Sequence, residues 1–140
     1  MKRVFKPFAI LAVLSVAVPT TAFAFRAISR MDVNKVDKNV FEVVGRAGAI
    51  KNDYWCAAGD YLRRELRLPW STKIYVVSGI GRGVTTGAAS AVQFTLDLEA
   101  VGIEPYTNSW VSDVLTPGYG RSVTAAFHYC DRWLFNGFRF

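Results

Sequence analysis

Histidine is almost missing from this sequence: His128 is the only one, and cysteine is limited to Cys56 and Cys130. These shortages exclude several chemistries. A zinc site built from histidine and cysteine lacks ligands, the more so if the two cysteines are joined. A Ser-His-Asp triad has a single candidate base, His128. Long apolar runs are missing too. The longest, residues 8–18, covers 11 residues, where a membrane-spanning helix needs about 20. After that run the basic side chains are scattered, with no stretch longer than Arg63-Arg64, and nothing in them argues for nucleic acid.

What is present begins with an export signal. Lys2, Arg3 and Lys6 precede the apolar run, Pro19 ends it, and Ala22 and Ala24 occupy the small-residue positions of an A-x-A site. A charged, then apolar, then small-residue order defines a cleavable secretory signal peptide over residues 1–24, cut between Ala24 and Phe25. The site has no cysteine after it for lipid attachment, and Lys2-Arg3 is not a twin-arginine pair. Cleavage leaves 116 of the 140 residues and removes three of the 17 basic ones, so the formal charge falls from +6 to +3. The expected product is one soluble domain with a real core, periplasmic or secreted.

Two cysteines in an oxidising compartment are read as a disulfide, Cys56–Cys130. The rivals are a Cys56 nucleophile activated by His128 and two unpaired buried thiols. Spacing cannot choose, because a bridge depends on how close the two Cα atoms come.

Along the chain, residues 25–39 read as an N-terminal arm and 40–140 as a single domain. Val40-Phe-Glu-Val-Val44 is β-branched and aromatic and reads as a strand. The clearest element is a helix over about 53–67, with Asn52 or Asp53 as N-cap and Pro69 beyond its end. At 100° per residue Trp55, Ala58, Gly59, Leu62 and Leu66 share a core-facing stripe. Cys56 lies at the edge of that stripe, placed for a helix-to-sheet bridge, and Asp60, Arg63, Arg64 and Arg67 fall mostly on the wet side. Asp60 and Arg64 have ion-pair spacing.

Residues 73–78 read as a second strand and 79–87 as a flexible connection. Residues 91–99 alternate, with Val92, Phe94, Leu96 and Leu98 on the buried side. Residues 110–115 form a short helix or strand, and 116–120 a turn. Residues 121–130 read as a last strand with Val123, Ala125, Phe127 and Tyr129 on one face. His128 and Cys130 have the opposite parity, an internal conflict if that face meets the helix. The tail carries an Asn136-Gly137 turn signal. The sum is an α+β fold: one amphipathic helix on an antiparallel sheet of four to five strands.

Candidate sites follow. Gly79, Gly81, Arg82 and Gly83 form a glycine-rich loop after a strand, where backbone N–H groups can cradle an anion. The match to a dinucleotide fingerprint fails at Val84, and no P-loop lysine is present, so a hairpin connection is the plainer reading. Asp53 with Asp60, and Asp97 with Glu99, are carboxylate pairs of the kind glycan hydrolysis uses, although both look like solvated charges. The aromatics Tyr54, Trp55, Tyr61, Trp70, Tyr75, Trp110, Tyr119 and Trp133 suit a core better than a ligand groove. A terminal Phe140 invites an outer-membrane barrel, but the helix and the small number of strand candidates oppose it.

With Tyr54-Trp-Cys-Ala-Ala-Gly-Asp-Tyr61, Lys73–Ser78 and Tyr129-Cys130 in view, residues 41–130 resemble small exported proteins of alphaproteobacterial genomes. The resemblance implies that the two cysteines belong together, and it implies no activity, ligand or catalytic residue. The expectation is therefore an exported, disulfide-stapled, non-enzymatic binding or structural module with no cofactor and no metal. Its partner would be a ligand or an envelope protein. One alternative is a small envelope hydrolase using His128 or a carboxylate pair. The other is an envelope protein held weakly to the membrane by its aromatic tail, residues 132–140.

Overall fold

The computed structural model describes residues 23–108 and 114–135. Residues 1–22 of the expected signal, Trp110 and the Asn136-Gly137 turn lie outside them. The expected cut after Ala24 falls immediately before the first strand.

Among the described residues six strands form one antiparallel sheet: β1 (Phe25–Arg26), β2 (Asp32–Lys35), β3 (Val40–Val44), β4 (Lys73–Gly81), β5 (Ala91–Thr95) and β6 (Gly120–Ser122), in the order β1-β2-β3-β5-β4-β6. The class is α+β, with one or two strands more than the four to five expected. The extra ones are β1 and β2, which occupy the segment read as an arm. Its polar residues hid a hairpin in which Met31 and Val33 are buried and Arg26 pairs with Asp32 at 2.8 Å. The turn between these strands needs Arg30 in left-handed backbone, at φ +61°.

Helix α1 (Lys51–Asp60) runs on as a π-helical turn, Tyr61–Glu65. Its first turn is fixed by Asp53, whose carboxylate accepts the Ile50 N–H at 3.0 Å. Ile50, rather than Asn52 or Asp53, is therefore the cap residue, and Asp53 works from three positions inside. From Asp53 to Leu62 every residue of the helix is buried. One flank meets Phe41, Val43, Val92 and Phe94 on the sheet. Trp55 packs edge-on against Phe94 at 5.1 Å and donates Nε1–H to the Val114 carbonyl at 2.8 Å.

The other flank of α1 is covered by α2 (Val123–His128), and α3 (Asp131–Phe135) follows it, reaching the start of α1 through Arg132 and Trp133 at Asp53. This corrects the strand expected over 121–130, of which only Arg121 and Ser122 are extended, as the end of β6. Alternating Val, Phe and Tyr give β propensity, but the Ser122 hydroxyl accepts the Ala125 N–H at 3.2 Å as an N-cap. The Val123 and Thr124 N–H groups go to the Thr72 and Trp70 carbonyls. Tertiary partners therefore complete the first turn and override propensity. The parity conflict disappears with the correction. Val123, Ala126 and Cys130, all buried, share one face at helical spacing.

The disulfide is formed. Cys56 and Cys130 are bridged with Cα atoms 4.8 Å apart across 74 positions, and both are fully buried. The bridge joins α1 to the turn between α2 and α3, rather than helix to sheet. Gly59 allows the helices this close, since a Cβ there would stand 2.7 Å from the Phe127 backbone nitrogen. Gly59→Ala is expected to destabilise the fold by about 1–3 kcal/mol through overpacking. A urea midpoint unchanged by that substitution would remove the close approach.

Candidate functional site

Most of the residues singled out from sequence are committed to the fold. Asp53 is fully buried and accepts Nε1–H of Trp133 at 3.0 Å, with the guanidinium groups of Arg46 and Arg132 each 3.6 Å away. Asp60 is also fully buried, which corrects its placement on the wet face. It forms the expected pair with Arg64 and also accepts the Ile28 N–H at 2.8 Å, tying the N-terminal hairpin to α1. These contacts make Asp53 and Asp60 two separate anchors. Asp97 accepts the Ala100 N–H at 3.1 Å within a turn, and Glu99 is exposed beside it. His128 ends α2 instead of a strand. Its side chain is 82% exposed, with Nε2 3.6 Å from the Asp131 carboxylate. The Cys56 sulfur is spent in the bridge, so it cannot be a nucleophile for His128.

The glycine-rich loop does gather donors around an anion, and that anion belongs to the protein. Gly79 and Gly81 lie in the end of β4, and Arg82 donates to the Gly87 carbonyl at 3.3 Å. Past Gly83, the Val84 and Thr85 N–H groups point at the carboxylate of Glu42, at 2.8 and 3.1 Å. The Thr85 hydroxyl also donates to it, and the Gln93 amide does so at 3.4 Å. Glu42 is fully buried in the middle of β3, one of the two central strands. Burial pushes its carboxyl upward. The donors from Thr85, Val84 and Gln93 outweigh that and hold it below the ordinary value. Sequence reasoning missed this residue because its donors, Val84, Thr85 and Gln93, lie more than 40 positions away and nothing near residue 42 announces them.

One open cleft, of about 230 Å³, lies between the β2–β3 turn, the end of α1 and the end of β5. Its apolar wall is Phe41, Tyr61, Leu66 and Leu96, and its rim carries Lys35, Lys38, Asp37 and Asp97. Phe41 and Tyr61 are the outer rings of the core, 5.0 Å apart, and Phe41 stacks on Phe94 at 5.7 Å. Burial raises the Tyr61 hydroxyl above its ordinary value, and the charge of Glu65 adds to that.

The two leucines in this wall depart from the sequence pattern. Leu66 was expected in the core stripe and is 42% exposed; Leu96 was expected on the buried side of its strand and is 38% exposed. Each departure has a local cause. The π-helical turn closes through Leu66 N–H to the Tyr61 carbonyl at 3.1 Å. Five-residue closure winds more residues per turn than an α-helix, so Leu66 lags off the stripe. Arg67 then leaves the helix in left-handed backbone, at φ +54°. At the other wall Thr95 ends β5: its Oγ1 accepts the Asp97 N–H at 3.1 Å and donates to the Asn39 carbonyl at 2.7 Å. That local turn stops the alternation one residue before Leu96. A rare helical turn and two half-exposed leucines thus converge on one cleft. Such local exceptions cluster at functional sites.

Among the described residues no group of three or more His, Cys, Asp or Glu side chains is placed to hold a metal ion, and no helix is long and apolar enough to cross a membrane. Comparison with known protein families, with curated proteins and with solved structures found no match to this chain.

Proposed function

We propose that this chain is an exported, non-enzymatic binding module that takes a small, partly apolar ligand in the cleft formed by Phe41, Tyr61, Leu66 and Leu96. The carrying observation is the pair of leucines that the local backbone turns out of the core and into the same concave wall. Exposing two large aliphatic side chains forgoes their burial, about 1.5–3 kcal/mol each when complete, and a ligand seated on them recovers part of it. Export rests on the 1–24 signal pattern, on the resemblance to small exported proteins and on a disulfide, which persists in oxidising compartments. A binding role rather than hydrolysis is favoured because Asp53, Asp60 and Glu42 hold the fold together and His128 stands apart from them on the surface.

The direct test is a titration of the mature chain with 1-octanol, followed by amide chemical shifts. Lys35, Phe41, Leu66 and Leu96 are expected to shift together and saturably. The double variant Leu66→Ser, Leu96→Ser is expected to lose the response while keeping the dispersed core spectrum. Shifts spread over the whole surface, or none in these four residues, would sink the cleft as the site.

A further inference from the structure

The rim of the cleft carries two lysines and two aspartates, and they are not equally available. The Asp37 carboxylate is held by its own turn, accepting the Asn39 and Val40 N–H groups at 2.7 and 2.9 Å. Asp97 is likewise held by the Ala100 N–H at 3.1 Å. Each acid is therefore fixed toward backbone, and its charge is partly compensated by the N–H dipoles it caps. The side chains of Lys35 and Lys38 have no ion-pair or hydrogen-bond partner among the described residues. Lys35 sits directly opposite Phe41 in the β2–β3 register. Its four-carbon stem can lie along that ring while its ammonium stays at the mouth. Glu65, the other nearby anion, does not line the cleft.

We infer that the ligand is a small amphipathic anion: a short alkyl chain or single ring seated on Phe41, Tyr61, Leu66 and Leu96, with a carboxylate or similar acid group meeting Lys35 and Lys38. This deepens the cleft reading above and depends on it. Size sets one bound. About 230 Å³ falls below the roughly 300–1,000 Å³ of pockets that enclose drug-sized molecules, so one short chain fits and a two-chain lipid does not. Charge sets the other. Two exposed cations each contribute a fraction of a kcal/mol to about 1 kcal/mol, weakened by salt.

The experiment compares three probes of one length on the mature chain at low salt: octanoate, 1-octanol and octylammonium. Octanoate is expected to bind about fivefold tighter than the alcohol, from two exposed charge pairs, and octylammonium more weakly than either. The double variant Lys35→Gln, Lys38→Gln is expected to remove the advantage of octanoate and bring its affinity down to that of the alcohol. Added salt acts in the same direction. Equal binding of all three probes by the unaltered chain would overturn the anion inference and leave the cleft reading standing. No binding of any would overturn both. Vesicles of an anionic phospholipid form the last arm. Binding to them that survives the lysine substitutions and outcompetes octanoate would assign the site to a membrane surface and overturn a free small acid as ligand.

Discussion

Reduction of the Cys56–Cys130 bridge is expected to lower the unfolding free energy by about 4–5 kcal/mol. The chain-entropy argument gives that figure for a closed loop of this span. Such a loss is a large part of the roughly 5–15 kcal/mol typical of a domain. The loop contains β4, β5 and β6, three of the six strands, so the reduced denatured chain gains freedom over most of its length. The native geometry adds to the effect. α2 and α3 are only six and five residues long and depend on docking against α1, since helices this short are marginal alone. Urea unfolding with and without reductant measures the difference, and Cys56→Ala with Cys130→Ala should reproduce it. Intact mass of the exported protein, falling by two hydrogens on oxidation and lacking residues 1–24, tests the bridge and the cleavage point together. Equal stability of the two redox forms would remove the bridge as the element that holds α2 and α3 in place.

Glu42→Ala is expected to cost about 3 kcal/mol, because it leaves two backbone N–H groups, a hydroxyl and an amide without their acceptor. Glu42→Gln keeps the shape but loses the charge and is expected to cost about 2 kcal/mol, since hydrogen bonds to an ionised acceptor are the stronger ones. The same carboxylate makes stability depend on pH. Its folded value lies below the ordinary 4.5, so the unfolded chain takes up the proton first as pH falls. This contribution is therefore complete above about 4.5 and disappears as pH drops through the folded value. The loop should feel it before the core does. In wild type, the Val84 and Thr85 amide shifts are expected to titrate below pH 4.5 while the core amides of Trp55 and Leu62 stay fixed. Glu42→Gln should abolish that titration. If Val84 and Thr85 move only when the whole protein unfolds, the carboxylate is not an independent latch on the loop.

How much of this was readable in the sequence depends on which forces act locally. β3 was visible over Val40–Val44 because its β-branched and aromatic run agrees with its buried position. The long helix was visible because its apolar spacing is strong and Pro69 bounds it. The α2 segment was misread because Val123, Phe127 and Tyr129 favour strands, whereas what decides the matter is Ser122 and two carbonyls around residue 70. β1 and β2 were obscured because the hairpin they form is mostly polar in sequence, and its buried residues, Ala27, Ser29, Met31 and Val33, include only three apolar ones. The cleft was invisible for a related reason. Periodicity carries Leu66 and Leu96 into the core, and only a change of helical winding at Tyr61 and a side-chain-to-backbone turn at Thr95 bring them out. The Glu42 nest needed long-range pairing, since the donors are more than 40 positions away.

One property of the sheet bears on how the molecule behaves in company. Its margins are β1, two residues long, and β6, three residues long before the chain coils into α2. A protruding row of free amide and carbonyl groups invites strands from neighbouring molecules, and short or blunted borders refuse them. Among the described residues β1 and β6 themselves each offer only a short row of such groups, and the longer stretch of β4 that runs past β6 to Gly81 is where a neighbouring strand would find purchase.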